Sequence, residues 1–399
     1  MTDSALLLEN IHPDGAWTLK DAGYDVERVE SALRPAELVD RLAGVQLLGI
    51  RSNTNVTAAV LDAAPDLLAV GAFCIGTNQV DLAAASERGV AVFNAPFSNT
   101  RSVVELALSE IIALTRRLTD KNADMHAGRW DKSAAGSHEV RGRRLGIVGY
   151  GNIGSQLSVL AESLGMSVLF FDAADKLALG NARRCGTLDE LLAGSDVVTL
   201  HVDGRVSNDS LFGEEQLSRM RPGSIFLNLS RGFVVDHAAL RDHIESGHLA
   251  GAAVDVFPTE PKAPGEEFVS TLRGLPNVIL TPHVGGSTEE AQQDIGNFVS
   301  GKLRDYAVDG STSLSVNLPP VSLARSGGTR LLHLHTNTPG VLATVTGLLA
   351  EHGLNIEAQL LATRGSLGYA VTDVAGPGVD ELAGALRALP ETVRLRVRP

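Results

Sequence analysis

The stretch LGIVGYGNIGSQLSVLAESLGMSVLFFD (145–172) decides the fold of this chain. An apolar strand leads into a G-x-G-x-x-G turn (149–154), a helix follows, and a second apolar strand ends at Asp172. Such glycines allow a tight turn and the close approach of a pyrophosphate, which the N-terminus of the helix attracts. This order of elements predicts a dinucleotide-binding unit, with Gly149, Gly151 and Gly154 as its cofactor-binding glycines.

The acid at the end of the second strand indicates which dinucleotide is bound. Asp172 would accept hydrogen bonds from the adenosine ribose, and its charge would repel a 2′-phosphate. No arginine follows in residues 173–175, so the pattern favours NAD over NADP. The alternative is a glycine-rich turn of a structural sheet with a solvated Asp172, and the complete strand–turn–helix–strand order argues against it.

The same alternation of strand and helix continues on both sides of this stretch. Between the two sets of strands, the spacing predicts one long helix over 101–127. Strands that alternate with helices form parallel sheets, so the chain is expected to contain two parallel α/β units. The other predicted strands are 5–9, 45–51, 67–73 and 91–96 before the helix, and 197–202, 224–230, 251–257 and 278–283 after it.

The C-terminal part has a different pattern. Residues 311–328 hold two prolines and end in Gly327-Gly328, which predicts a linker with a glycine hinge. Beyond it, the βαββαβ order is that of a ferredoxin-like domain, expected as a small separate third domain. Its predicted elements are a strand (329–336), a helix (340–353), two strands (355–364 and 367–375), a helix (380–389) and a strand (392–398).

Composition excludes several classes of function. The chain has 399 residues and a formal net charge of −13, which argues against nucleic acid as a partner. No apolar run approaches the roughly 18 residues of a membrane span, and MTDSALLLEN lacks the basic region of a signal peptide. Two cysteines exclude a disulfide framework or a zinc site and fit a reducing compartment. A cytoplasmic protein without a metal is expected.

Three polar residues follow successive predicted strands of the second unit, namely Arg231, Glu260 and His283. Ligands of open α/β sheets bind at this edge. When a hydride moves from a carbon bearing a hydroxyl, a proton must leave as well, and a histidine can carry it near neutral pH. Glu260 would favour the imidazolium, and Arg231 would bind a carboxylate. Any one of them alone is more often structural or solvated.

Two other residues have plain structural alternatives. His201, in VTLHV (198–202), either lines the nucleotide site or is a packed strand histidine. Cys74 could be a nucleophile, but no base is evident near it, and buried cysteines are common.

The motifs LSRG (229–232), DVFPTEP (255–261) and TPHVGGS (281–287), together with the glycine turn, resemble the D-isomer-specific 2-hydroxyacid dehydrogenase family. VGAFCIGTNQVD (70–81) and FNAPFSNTRSV (93–103) resemble the members that act on 3-phospho-D-glycerate, and the likeness extends through nearly the whole chain. The resemblance implies that Arg231, Glu260 and His283 are catalytic, with the histidine as proton carrier. It also implies an NAD site lined by Asn152, Ile153, Asp172, Leu229, Ser230, Arg231, Asp255, His283, Val284, Gly285 and Gly286.

The resemblance also implies how the domains are arranged. Residues 1–99 and 284–318 would form a substrate-binding domain around an NAD-binding Rossmann domain (100–283), with the active site in the cleft. Residues 329–399 would form an ACT regulatory domain. A long helix and a C-terminal domain offer two pairing surfaces, so a homo-oligomer, most simply a tetramer, is expected.

The family accepts many 2-oxo acids, so selection of a phosphorylated substrate depends on further residues. By resemblance, Arg51 and Ser52 bind the substrate together with Ser98, Asn99 and Thr100, and Lys132 could supply another cation. Arginine and lysine both suit a phosphate. Lys132 has an even alternative as a solvated lysine. Some relatives carry a basic residue where this chain has Glu30, which would make the anion site less positive.

The resemblance assigns an effector to the third domain. His335, Asn337 and Asn355 would bind L-serine between two subunits, because a zwitterion with a hydroxyl needs donors and acceptors in a fixed arrangement. The alternative is an edge used only for dimerisation.

The expected function is NAD-dependent oxidation of 3-phospho-D-glycerate to 3-phosphooxypyruvate at the start of L-serine biosynthesis, with serine as feedback inhibitor and 2-oxoglutarate reduction as a side activity. Two alternatives remain. One is a dehydrogenase for another D-2-hydroxy acid, and the other is a nucleotide-sensing regulatory protein on the same fold.

Overall fold

The computed structural model describes residues 3–261 and 265–399, which form three sheets and the helices around them. The strands are β1 (Ser4–Leu7), β2 (Asp25–Arg28), β3 (Leu47–Ile50), β4 (Ala69–Ala72), β5 (Ala91–Asn94), β6 (Arg144–Val148), β7 (Ser167–Phe171), β8 (Arg183–Arg184), β9 (Val197–Leu200), β10 (Ser224–Asn228), β11 (Leu249–Val254), β12 (Val278–Leu280), β13 (Thr329–Thr336), β14 (Asn355–Arg364), β15 (Leu367–Ala375) and β16 (Thr392–Arg398). The helices are α1 (Pro13–Asp21), α2 (Pro35–Arg41), α3 (Ala58–Asp62), α4 (Leu82–Glu87), α5 (Thr100–Thr115), α6 (Leu118–His126), α7 (Asn152–Ser163), α8 (Leu188–Gly194), α9 (Glu214–Arg219), α10 (His237–Glu245), α11 (Glu289–Asp309), α12 (Val341–Glu351) and α13 (Val379–Arg387).

The chain divides into two compact units, Met1–Ser98 with Gln292–Pro399, and Asn99–Ala291. Both contain a parallel sheet, as the alternation of strand and helix predicted. Among the described residues, none of the helices combines the length and apolar character that a membrane crossing requires.

The first unit holds a five-stranded parallel sheet with the order β2-β1-β3-β4-β5. Its inner strands β3 and β4 are buried along their whole length, and this explains their continuous apolar sequences. The sequence analysis missed β2 because its residues, DVER, are largely exposed and polar at the edge of the sheet. An edge strand needs no apolar signature.

The second unit holds a seven-stranded sheet with the order β12-β11-β10-β9-β6-β7-β8. The strand order reverses between β6 and β9, which is where ligands bind in doubly wound sheets. The prediction of one helix over 101–127 was wrong, because the chain breaks at Arg117, which has a left-handed φ of 52° and separates α5 from α6.

The third sheet is antiparallel, with the order β14-β15-β13-β16, and forms the expected βαββαβ module. The module shares a hydrophobic core with the first parallel sheet, where Leu332, Tyr369 and Val371 pack with Phe93 and Tyr306. The opposite face of the same sheet packs against α12 and α13 in a core of its own. The bounds of a separate third domain stay a prediction.

The predicted flexible linker is also packed. Asn317 accepts a hydrogen bond from the Val92 amide at 2.8 Å and donates to the Val90 carbonyl at 2.9 Å, which adds the segment to the edge of the first sheet. Near the predicted glycine hinge, a Cβ on Gly328 would lie 2.4 Å from the Val374 carbonyl oxygen. Arg330, buried with Asp373, closes this region through two hydrogen bonds of 2.6 and 2.7 Å.

Candidate active site

The glycine turn lies where the strand order of the second sheet reverses. Gly149 follows β6 with φ of +93°, and a Cβ there would lie 2.5 Å from the carbonyl oxygen of His201, which follows β9. A Cβ on Gly154 would lie 2.3 Å from the Gly149 carbonyl oxygen. Both positions therefore require glycine, and the turn brings the start of α7 close to the sheet.

The N-terminus of α7 fits the pyrophosphate of a dinucleotide. Its N-cap is Gly151, which makes no side-chain capping bond, and a Cβ on Gly151 would meet no atom within 4 Å. The first amides of α7, at Asn152 and Ile153, are thus not covered by a capping side chain. An anion there would be bound by backbone N–H groups and by the helix dipole.

Asp172 has a structural task in addition to its predicted contact with ribose. Its two carboxylate oxygens accept the amides of Tyr150 and Ala174, each at 2.8 Å, so it joins the end of β7 to the glycine turn. Sequence reasoning found no arginine directly after Asp172, but the structure brings Arg184 of β8 to its carbonyl oxygen at 3.3 Å. The guanidinium of Arg184 pairs with Asp175 at 2.6 Å. Arg184 comes close to Asp172 because β8 pairs with β7 at the edge of the sheet, although the two residues are not adjacent along the chain.

His201 lies beside the same turn. Its Nε2 is 3.0 Å from the Thr199 hydroxyl, its Nδ1 is buried without a partner, and burial lowers its pKa to about 4. His201 is therefore a neutral histidine against the glycine turn, with one ring nitrogen still able to take a partner.

The three predicted catalytic residues follow three neighbouring strands. Arg231 comes after β10, Glu260 after β11 and His283 after β12, and these strands are adjacent in the sheet. The Nδ1 atom of His283 lies 2.9 Å from Oε2 of Glu260. The other oxygen of Glu260 accepts the Phe257 amide at 3.0 Å, which fixes the carboxylate. The ring of His283 is thus oriented through Nδ1, and Nε2 is the nitrogen available to a substrate.

Each partner of this pair stabilises the charge of the other. The hydrogen bond that His283 donates to Glu260 raises the pKa of His283, against the opposing effects of burial and of the Arg231 charge. Burial would raise the pKa of Glu260, but its hydrogen bonds with His283 and the Phe257 amide outweigh this, so the pKa is lowered. The pair favours an imidazolium beside a carboxylate.

Asp255 holds the loop that carries His283. Its Oδ1 accepts the Thr281 hydroxyl at 2.6 Å and the Val284 amide at 2.8 Å, and its Oδ2 accepts the Gly285 amide at 2.9 Å. The Asp255 carbonyl oxygen also accepts the His283 amide at 2.8 Å. The resemblance implied only an NAD contact for this residue, and this clamp of the loop was missed.

The clamp holds a strained backbone. His283 has a φ of +54°, a left-handed conformation that costs a residue with a side chain about 1–2 kcal/mol. Asp255 is 1% exposed, so its four hydrogen bonds form in a protected environment. The strained conformation is therefore imposed by the surroundings of the residue expected to move the proton.

The residues that precede Arg231 hold it in place through hydrogen bonds. The side chain of Asn228 donates to the Arg231 carbonyl at 3.0 Å and accepts from Ser230 at 2.8 Å, while Leu229 packs into the core. The guanidinium of Arg231 donates to the Ser230 carbonyl at 2.7 Å. Leu229 and Ser230 thus position Arg231, whatever they contribute to an NAD site.

The predicted substrate residues divide between the two units. In the second unit, Asn99 and Thr100 begin α5, and a Cβ on Gly286 would lie 2.5 Å from the side-chain nitrogen Nδ2 of Asn99. The start of α5 therefore lies against the loop that carries His283. Lys132 is in an exposed stretch after α6 and takes no part in the His283 network.

In the first unit, Ser98 precedes α5, and Arg51 and Ser52 begin the loop after β3. The backbone of this loop is held by hydrogen bonds from within the unit, including one from the Arg51 amide to Glu9 at 3.0 Å. Sequence reasoning singled out Arg51 and missed the group that holds it.

The predicted effector residues lie at two ends of the third sheet. His335 is buried, and it pairs with Gly368, whereas Asn355 pairs with Ala375. Gly368 and Ala375 are seven residues apart on β15, which corresponds to about 23 Å along the strand. Asn337, exposed beside His335, donates to the Gly365 carbonyl at 3.2 Å. Within one chain, Asn355 is therefore distant from the other two residues.

Comparison with known proteins agrees with this geometry. The model of the D-isomer specific 2-hydroxyacid dehydrogenase NAD binding domain matches residues 108–285, and the model of the AHAS small subunit-like ACT domain matches residues 331–394. D-3-phosphoglycerate dehydrogenases of Haemophilus influenzae and Escherichia coli K12 are each 51% identical to this chain, over 98% of it and 96% of their own length. The chain belongs to the D-3-phosphoglycerate dehydrogenase branch of the D-isomer specific 2-hydroxyacid dehydrogenase family.

A solved structure shares the fold of this chain. A protein of Thermus thermophilus is 30% identical, with a TM-score of 0.68 over 75% of this chain and 95% of its own. The chain is an NAD-dependent dehydrogenase with a C-terminal ACT domain, as the glycine turn and the βαββαβ order predicted.

Proposed function

We propose that this dehydrogenase oxidises 3-phospho-D-glycerate to 3-phosphooxypyruvate with NAD, at the start of L-serine biosynthesis. The 2.9 Å contact between His283 and Glu260, beside Arg231 at the edge of a dinucleotide-binding sheet, supports the chemistry. The relatives named D-3-phosphoglycerate dehydrogenase support the substrate. A cytoplasmic location is part of the proposal.

In the proposed mechanism, the side chains handle the proton and the charges. The glycine turn and the N-terminus of α7 would hold NAD, which would supply the acceptor for the hydride from C2 of the substrate. His283 takes the hydroxyl proton at Nε2, and the imidazolium that forms is stabilised by Glu260 through Nδ1. Arg231 binds the carboxylate next to the reacting carbon and polarises the developing carbonyl. Loss of a hydride and a proton converts the hydroxyl to a carbonyl, so atoms and electrons balance.

Substrate selection is assigned to a second set of residues. Arg51 is proposed to bind the phosphate, aided by Ser52, Ser98, Asn99 and Thr100, with Lys132 as a further cation. A guanidinium provides a fork of donors suited to phosphate oxygens. Weak reduction of 2-oxoglutarate would remain, because that substrate offers a carboxylate where the phosphate would lie.

The substrate proposal is tested by oxidation of NADH. The wild-type enzyme is assayed with 3-phosphooxypyruvate, unphosphorylated hydroxypyruvate and 2-oxoglutarate. A kcat/KM at least tenfold higher for the phosphorylated substrate is expected, and R51A should remove most of that preference. Equal use of phosphorylated and unphosphorylated substrates would contradict the proposal and favour a dehydrogenase for another D-2-hydroxy acid.

Regulation by L-serine is proposed to need two chains. The distance between Asn355 and the pair His335 and Asn337 along the sheet supports a site shared by two ACT domains, and a homo-oligomer, most simply a tetramer. Truncation at Gly328 is a poor test, because it would expose the core that β13 and β15 cover. N355A should instead abolish inhibition by millimolar serine while kcat stays within twofold. Undiminished inhibition of N355A would contradict the proposal.

A further inference from the structure

A buried carboxylate organises the loop that begins with Arg51. Glu9, at the carboxyl end of β1, is 7% exposed. Its Oε1 accepts the amides of Arg51 and Thr54 at 3.0 and 2.9 Å, and its Oε2 accepts the amide of Asn53 at 2.9 Å. Because β1 and β3 are neighbours in the parallel sheet, a residue after one strand can hold the loop after the other.

The backbone that presents this carboxylate is strained. Glu9 and Asn10 are consecutive residues with left-handed φ values of 61° and 52°. A left-handed backbone is unfavourable for a residue with a side chain and persists only when its surroundings hold it. The hydrogen bonds of the Glu9 side chain provide that hold. A strained backbone next to a candidate substrate loop indicates that Glu9 has a function.

A second side chain holds the same loop through the carbonyl group of Arg51. Gln79, 6% exposed, donates to the Arg51 carbonyl at 2.7 Å. The N–H of Arg51 is thus bound by Glu9 and its C=O by Gln79. With both backbone groups bound, the point and direction at which the Arg51 side chain leaves the main chain are set before any ligand arrives.

The carboxylate of Glu9 also determines which groups of this loop can bind an anion. Backbone amides that converge on one point form a concave anion site. Here three amides converge, and the chain's own carboxylate fills the position that a phosphate oxygen could otherwise take. Recognition of a phosphate is therefore left to the side chains of the loop.

We propose that Glu9 is a positioning residue for phosphate recognition, acting through Arg51. This inference rests on the proposed function, since it assigns to Glu9 the geometry of the substrate loop. Because the backbone of Arg51 is already held, less of the loop has to become ordered when the guanidinium binds a phosphate. Glu9 therefore contributes to discrimination between phosphorylated and unphosphorylated substrates, and it contributes nothing to the chemical step.

The test is the variant E9Q in the full-length enzyme. A carboxamide keeps the size of the side chain, but it offers one acceptor oxygen and points an NH₂ group at an amide donor. The KM for 3-phosphooxypyruvate should rise about tenfold, as expected for loss of a charged hydrogen bond. The values of kcat, KM for NADH and KM for hydroxypyruvate should stay within twofold. An unchanged KM for the phosphorylated substrate would overturn the inference.

Two further variants separate the effect of the Glu9 carboxylate from the effect of the strained backbone. N10G relieves the left-handed backbone at the exposed neighbour and should leave every kinetic constant unchanged. E9G relieves the strain at Glu9 but removes the carboxylate, so it should raise KM as E9Q does. Wild-type KM in E9G would show that the carboxylate is dispensable and would overturn the inference.

A double-mutant cycle tests whether Glu9 acts through Arg51. In an R51A background, E9Q should raise KM by less than twofold, because the group that it positions is gone. A full tenfold effect in that background would contradict the proposed route. If E9Q does not fold, Q79M, which releases the Arg51 carbonyl, should show the same selective rise in KM at about threefold, and no rise there would also overturn the inference.

The substrate preference of the wild-type enzyme shows whether the proposed function or only the role of Glu9 is wrong. If the wild-type enzyme shows no preference for the phosphorylated substrate, the proposed function fails. If the wild-type preference is present and E9Q retains it in full, only the assignment of Glu9 fails.

Discussion

Two loops in this protein are built in the same way, one in each unit. Asp255, after β11, accepts the amides of Val284 and Gly285 in the loop after β12, and Glu9, after β1, accepts three amides of the loop after β3. In both, a buried carboxylate at the end of one parallel strand holds the loop that follows its neighbour.

The position of the strained residue differs between the two loops. In the second unit, the left-handed residue is His283 itself, which lies in the loop that is held. In the first unit, the left-handed residue is Glu9, which does the holding, and Arg51 is free of that strain. Under the proposed function, one loop would fix the position of a reacting group and the other the position of a binding group. The two clamps should then affect different kinetic constants.

The largest effect is expected when the clamp of the catalytic loop is broken. D255N leaves one acceptor oxygen for three donors and points an NH₂ group at an amide. Because a shift of about 1 Å in a catalytic group can cost 10²-fold, kcat should fall about 100-fold. Steady-state kinetics, with NADH binding followed separately by fluorescence, measures this.

T281V is the matched control for D255N. It removes one hydroxyl donor to Asp255 and keeps both amide contacts, so kcat should fall by less than threefold. A D255N enzyme with wild-type kcat would show that the loop keeps its shape without the clamp.

A smaller effect is expected at the partner of His283. Reduction of the 2-oxo acid needs the imidazolium, so its rate is maintained at low pH and is lost as pH rises through the pKa of His283. Glu260 raises that pKa, and in E260Q the loss should therefore occur at lower pH. A decrease of about tenfold in kcat is expected as well. The pH dependence of kcat/KM for reduction measures the shift, and a profile that does not move would contradict the assigned pair.

A third buried carboxyl group differs from those of Glu9 and Asp255 because it accepts no hydrogen bond from a backbone amide. Glu110 of α5 is 3% exposed, and both of its oxygens lack a hydrogen-bond partner. Burial, and to a lesser extent the charge of Asp255, raises its pKa from 4.5 to about 8. Glu110 is therefore neutral in the folded protein near pH 7.

This difference predicts how stability depends on pH. Between pH 4.5 and 8, folded Glu110 keeps a proton that the unfolded chain releases, so its contribution to the free energy of unfolding falls as pH rises. By pH 7 the cost is about 3 kcal/mol, and E110Q lacks it. The melting temperature of E110Q relative to wild type should increase from pH 5 to pH 8, with kcat within twofold. A difference independent of pH would contradict this account.

Much of the second unit could be predicted from sequence, because its signals are local. The glycine turn and Asp172 lie within one strand–helix–strand unit, and Arg231, Glu260 and His283 follow strands that are neighbours both along the chain and in the sheet. Residue type and position after a strand were enough to select them.

The clamps and the packing of the third sheet depend on contacts between distant segments. Nothing in the sequence near Glu9 indicates that it reaches residues 51–54, because that depends on the register of β1 against β3. Arg330 resembles a surface arginine until Asp373 is found 2.6 Å from it in the core. The break at Arg117 was missed for a local reason, since helical spacing continues on both sides of it.

The most direct test of the two-clamp account is a side-by-side kinetic comparison of E9Q and D255N with 3-phosphooxypyruvate and hydroxypyruvate. The account predicts that E9Q raises KM about tenfold for the phosphorylated substrate alone, while D255N lowers kcat about 100-fold for both substrates. If both variants changed the same kinetic constant by similar factors for both substrates, the assignment of one clamp to binding and the other to catalysis would be wrong.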